Sequence, residues 1–103
     1  MNILILDLET TVQRFDHKID NSPFNPSNKC VSAHFCFLGE PVQNLVFHHN
    51  EQQTPDNPAP LREALEKADM IVCHNAKFDV MWLMEMGMPI PSDVYCTQIG
   101  EYI

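Results

Sequence analysis

The run Ile3-Leu4-Ile5-Leu6-Asp7-Leu8-Glu9-Thr10-Thr11 decides the fold. Ile3 to Leu6 is a continuous β-prone stretch, of the kind buried on both faces of a sheet, and it ends in acids as such a strand ends at a sheet rim. Side chains at i and i+2 of a strand point the same way, so Asp7 and Glu9 face one spot. Two carboxylates in one place repel unless a proton or a cation sits between them. Oxygen-only ligands suit Mg²⁺ or Mn²⁺. The spacing alone is equally compatible with two solvated acids in a loop after the strand.

Outward from this strand, Val12 to Lys29 is polar and aperiodic, with Pro23 and Pro26, and reads as one long loop of the functional or mobile kind. Arg14, Lys18 and Lys29 are its cations and candidates to steer a nucleic-acid strand. Cys30 to Leu38 partly alternates and predicts a strand. Gly39-Glu40-Pro41 makes a turn, and Val42 to His48 returns as a second strand to close a hairpin. A proline-rich loop, Glu51 to Pro60, leads into a helix over Leu61 to Ala68, with Leu61, Ala64, Leu65 and Ala68 on one face. Met70 to Cys73 is a short buried strand. Ala76 to Met86 is a helix with a stripe of Phe78, Met81, Trp82 and Glu85, ended by Gly87. Met88 to Pro91 is extended, Asp93 to Cys96 a last short strand, and Thr97 to Ile103 the start of another helix. The order predicts an α/β fold, a mixed sheet with helices packed on it. The first strand lies beside Met70–Cys73, and the hairpin lies on its other side.

A further acid falls in His74-Asn75-Ala76-Lys77-Phe78-Asp79. Asn75 is placed to cap the helix. Asp79 then sits in its first turn, where the helix dipole favours negative charge, near the end of a strand that neighbours the first. A third carboxylate converging on Asp7 and Glu9 is one reading, and a simple acid at a helix N-terminus is the other. Phe78 and Trp82 read as core rather than as a base-stacking platform.

Composition narrows the classes. In 103 residues there are 14 acids against six Lys and Arg, for a net charge of −8. That excludes a basic groove holding nucleic acid by charge alone, but not a site whose acids are covered by metal ions. Hydrophobic residues at 45% are enough for a globular core in a single domain spanning 1–103. Cys30, Cys36, Cys73 and Cys96 form no CxxC pair and are expected as free thiols in a reducing, cytoplasmic compartment. A zinc site from Cys30, Cys36, His48 and His49 matches no finger or ribbon spacing. No stretch approaches the ~20 apolar residues of a membrane span, and no membrane partner is expected.

The motifs Leu6-Asp7-Leu8-Glu9-Thr10-Thr11, Asn75-Ala76-Lys77-Phe78-Asp79 and Val94-Tyr95-Cys96-Thr97-Gln98-Ile99-Gly100-Glu101-Tyr102 resemble the proofreading 3′–5′ exonuclease domain of family A DNA polymerases, most like those of phages. That domain belongs to the DEDD exonucleases, named for four acidic metal ligands on a ribonuclease H-like fold. The resemblance covers essentially the whole chain. It implies that Asp7 bridges two metal ions, Mg²⁺ or Mn²⁺, set ~4 Å apart. It implies that Glu9 is the second ligand of the water-activating metal, near the terminal 3′-hydroxyl. Asp79 resembles the acid that holds the other metal largely through water. Asn75 resembles the polar residue of that second motif. Thr10 and Thr11 would lie where the terminal nucleotide approaches, with backbone amides towards it, and Lys77 is a candidate phosphate contact. The implied reaction is phosphodiester hydrolysis at the 3′ end of single-stranded DNA in a phage-infected or bacterial cell.

The family's third motif, a Tyr or His followed four residues later by Asp, is not matched: Tyr95 is followed at that distance by Ile99, and Tyr102 by no Asp. Cys96 stands where many relatives carry Asp. The expectation is therefore a ribonuclease H-like domain cut short before its C-terminal helices, weak or inactive alone. One sheet face would be partly bare, and a polymerase chain or a second copy would complete the site. The alternative is a non-catalytic module of the same fold that binds DNA ends or a polymerase. Asp7-x-Glu9-Thr10 as a phosphatase motif of the haloacid dehalogenase type is weaker, because that chemistry wants Asp at the second acid.

Overall fold

A computed structural model describes residues 1–15, 18–48 and 54–103, with residues 13–15 as backbone. The strands are β1 (Ile3–Thr10), β2 (Gln13–Phe15), β3 (Lys18–Asp20), β4 (Cys30–Phe37), β5 (Gln43–Val46), β6 (Met70–Cys73), β7 (Asp93–Cys96) and β8 (Glu101–Tyr102). The helices are α1 (Ala59–Lys67) and α2 (Ala76–Glu85). Six strands form one mixed sheet in the order β5-β4-β1-β6-β7-β8, and β2 and β3 form a separate ribbon. β1 pairs antiparallel with β4 and parallel with β6, so the first strand sits between the hairpin and Met70–Cys73 as the sequence predicts.

Both crossovers, β5-α1-β6 and β6-α2-β7, step the same way across the sheet. Right-handed connections therefore put both helices on one face. The side-chain alternation of β1 records this: Leu4, Leu6 and Leu8 are buried, whereas Ile5, Asp7 and Glu9 are exposed. On the covered face, the row Phe37–Leu4–Ile71–Val94 runs across four strands and packs with Leu61 and Leu65 of α1 and Trp82 and Leu83 of α2. On the open face, the row Cys36–Ile5–Val72–Tyr95–Tyr102 has no helix over it among the described residues. There Ile5 keeps 41% of its surface and Tyr102 65%. The face opposite the helices is thus open among the described residues.

Helix α1 starts from Pro58 with a proline in its first positions, where a missing N–H costs nothing, and buries Leu61, Ala64 and Leu65. Helix α2 ends at Gly87, whose φ of 70° only glycine adopts without strain. The amides of Gly87 and Met88 donate to the carbonyls of Met84 and Leu83.

Four readings need correction. The first strand does not stop at Leu6 but runs to Thr10, because β4 pairs with it along that whole length. The long loop over 12–29 contains the β2/β3 ribbon, whose cross-strand bonds satisfy a polar backbone that shows no periodic pattern. The buried side of α2 is Ala76, Asp79, Trp82 and Leu83, not the Phe78–Glu85 stripe: Glu85 is exposed, and Asp79 takes an inward position. The segment after Cys96 is a turn followed by β8, not a helix. Gly100, at φ 67°, reverses the chain, and Glu101 and Tyr102 pair back on Cys96 and Tyr95. Residues 51–53 of the proline-rich loop lie outside the described residues.

Candidate active site

The C-terminal end of β1 is built from three directions. β1 itself supplies Asp7 and Glu9, both exposed on the open face. The register of β1 on β4 shifts between Glu9 and Thr10, a bulge of the sort that re-aims side chains beside sites. The acids thus stand within the paired strand, not in a loop beyond it.

The second contribution is Asp79, in the first turn of α2 and only 3% exposed. β6 pairs with β1 at Ile3, Leu4 and Ile5 and goes no further, so the far half of β1 lacks that neighbour. Asp79 fills the gap, its carboxylate accepting the backbone N–H of Leu8 and the thiol hydrogen of Cys73. Burial raises its pKa most, and the negative charge of Asp7 adds to the rise. The bonds from Leu8 and Cys73 oppose it and Glu9 adds a little, leaving Asp79 pushed up to about 7. The same environment raises two thiols. Burial and then Asp79 lift Cys73 to about 12, and likewise Cys30 to about 11.

The third contribution is the segment 20–29. Asp20 accepts the Ser22 N–H at 2.9 Å and the Asn25 amide at 2.9 Å, and these bonds, Asn25 first, hold its carboxyl below the usual range. The buried Asn28 amide donates to the carbonyls of Asp20 and Ser22. Trp82 Nε1 donates to the Asn21 carbonyl at 3.1 Å, and the Phe78 ring meets Trp82 edge-on at 6.5 Å. Trp82 is therefore core, as predicted, and also the pin that fastens this segment to α2.

The expected site residues divide as follows. Asp7, Glu9 and Asp79 come to one strand end, and Asp79 is electrically coupled to both others. Among the described residues, however, no three His, Cys, Asp or Glu side chains are grouped as closely as a metal ion requires. Thr11 is spent on the fold. Its amide donates to the Lys29 carbonyl at 2.9 Å, and its hydroxyl accepts the Lys29 N–H at 2.7 Å, so this amide does not face an incoming nucleotide. Thr10 follows the bulge and is half-buried. Asn75 precedes α2 but makes no side-chain cap. With φ −127° and ψ 76°, its carbonyl, not its side chain, takes the Asp79 N–H. Lys77, Lys18 and Lys29 are exposed. Cys96 occupies the end of β7, and its thiol donates to the His74 carbonyl at 3.4 Å. His49 of the zinc alternative lies outside the described residues.

One group escaped the sequence reading. His34 stands directly opposite Asp7 on β4, and Ser32 opposite Glu9. The His34 ring is fixed by Ser32 Oγ at 3.0 Å from Nε2 and by Asn44 Oδ1 at 2.6 Å from Nδ1. An Asn oxygen only accepts, so Nδ1 carries a hydrogen. The signal was present in the alternation of Cys30 to Phe37, which puts Ser32 and His34 on one face.

Comparison with protein-family models, with curated proteins and with solved structures gave no match. Among the described residues, no helix is long and apolar enough to cross a membrane.

Proposed function

We propose that this chain carries the core of a metal-dependent 3′–5′ exonuclease on a ribonuclease H-like sheet, acting on the 3′ ends of single-stranded DNA. The observation that carries the reading is the placement of Asp7 and Glu9 on one exposed face at the end of the central strand, with buried Asp79 in the first turn of the helix that follows the neighbouring strand β6. The donor set suits a hard divalent cation: three carboxylates of like charge, two of them solvent-facing, whose repulsion a cation relieves. Asp7 and Glu9 would hold Mg²⁺ or Mn²⁺, with Asp79 behind them. A bound ion of this class supplies a hydroxide nucleophile at neutral pH and offsets charge on the phosphate. With a net charge of −8, a phosphodiester is repelled at this acidic end, and a bound divalent cation would offset that repulsion.

The chain's own residues do the rest. Leu8 and Cys73 keep Asp79 oriented. The pinned 20–28 segment walls one side, and exposed Lys77 lies in the first turn of α2, beside the strand ends, where a phosphate would meet it. These acids are three of the four that the resemblance implies.

A second reading has an observation behind it too. Asp79 already holds two hydrogen bonds, so the same fold fits a non-catalytic module that binds a DNA end. Turnover separates the two. Incubation of the folded chain with 5′-labelled single-stranded DNA and Mn²⁺ should give a ladder that Asp7→Ala abolishes. DNA-end binding without any shortening would favour the module.

A further inference from the structure

The thiols of Cys73 and Cys96 lie side by side. β6 and β7 run parallel, and the two cysteines are register partners at their C-terminal ends. Register partners on neighbouring strands point to the same face, and here both are buried on the covered one, at 1% and 4% exposure. Neighbouring strands are ~4.8 Å apart, inside the range of about 4.4–6.8 Å between Cα atoms that a disulfide spans. Cys30 is separated from this pair by β1, and Cys36 points to the open face.

The two thiols differ in setting. Cys96 lies at the end of β7, directly before the exposed turn 97–100. Its thiol donates to the His74 carbonyl at 3.4 Å, while the backbone N–H of Ala76 does most to hold its pKa below the usual range. Cys73 is deeper, and its thiol donates to Asp79.

We propose that Cys73 and Cys96 form a peroxide-oxidisable dithiol site, with Cys96 as the attacking thiol and Cys73 as the resolving one. Cys96 sulfur attacks one oxygen of hydrogen peroxide. The O–O bond breaks, the departing oxygen leaves as water with the thiol's proton, and Cys96 becomes a sulfenic acid. Cys73 sulfur then attacks Cys96 sulfur. The S–O bond breaks, and that oxygen leaves as a second water carrying the Cys73 proton. Two thiols have lost two electrons in all, and peroxide has been reduced to water. Closing it takes the Cys73 hydrogen away from Asp79, which ties the oxidation state to the acid pole.

The test is peptide mapping of the full chain after a modest excess of hydrogen peroxide and alkylation of the remaining thiols. The expected result is a linked peptide pair holding Cys73 and Cys96, lost on treatment with dithiothreitol. In Cys73→Ser, oxidation should stop at a dimedone-trappable sulfenic acid on Cys96. Both thiols staying fully alkylatable while Cys36 oxidises would overturn the proposal. So would a link that joins Cys73 to any other cysteine. The wild-type map alone decides, should the variant fold poorly.

Discussion

The carboxylate of Asp79 accepts the backbone N–H of Leu8, the residue that stands between Asp7 and Glu9 in β1. One buried acid thereby stands in for a missing strand neighbour and reads the charge of two exposed ones. Its position joins fold to site, since the helix that follows β6 also delivers the third carboxylate.

The first prediction concerns pH. Burial and Asp7 favour the neutral form of Asp79, so the native chain keeps a proton between about pH 4 and pH 7 that the unfolded chain has released. Its contribution to stability is full below the unfolded pKa and is lost as pH rises through about 7. In Asp79→Asn, whose amide oxygen still accepts from Leu8, this dependence should vanish. In the absence of divalent ions, the stability gap between variant and wild type should widen by on the order of 4 kcal/mol from pH 4 to pH 8, measured by urea unfolding. Parallel curves for the two chains would contradict it.

A second prediction concerns the cation. Asp7 is exposed, so Asp7→Ala should change stability without metal by no more than about 0.5 kcal/mol. At pH 8, where Asp79 has released its proton, Mn²⁺ at 100 times its dissociation constant should stabilise the wild-type chain by about 2.7 kcal/mol. That gain should disappear in both Asp7→Ala and Glu9→Gln. Thermal melts with and without EDTA check it, and an equal gain in all three chains would point to nonspecific binding.

A third prediction follows from the pin. Trp82→Phe removes the bond to the Asn21 carbonyl and part of a buried ring, and should cost about 1–3 kcal/mol. The loss should be local as well as global. Amide exchange over residues 20–28 should accelerate more than exchange over β4, because Trp82 is what fastens that segment to α2. A uniform change across the chain would show that the ring matters only as core volume.

Much of this architecture was legible because hydrophobic runs and breakers coincide with its elements. Ile3–Leu6, Met70–Cys73, and the prolines and glycine bracketing the helices sufficed to place β1 between the hairpin and β6. The acids Asp7 and Glu9 were legible from a period of two. What stayed hidden depends on pairing across the chain. The β2/β3 ribbon and β8 have polar or mixed sequences, and only their partners make them strands. The inward turn of Asp79 was hidden for the same reason, since it answers a gap left by β6 that sequence does not announce. Thr11 looked like a substrate contact because it follows the acids, whereas its hydrogen bonds belong to Lys29 and Asn28.

The central claim is that Asp7, Glu9 and Asp79 serve hydrolysis at a 3′ end. It is tested most directly by running one oligonucleotide in two forms, 5′-labelled and 3′-labelled, with the folded chain and Mn²⁺. The account predicts weak but progressive shortening from the 5′ label, slow release of a labelled mononucleotide from the 3′ label, and neither in Asp7→Ala. No shortening by a chain that demonstrably binds Mn²⁺, or equal shortening by the alanine variant, would contradict it.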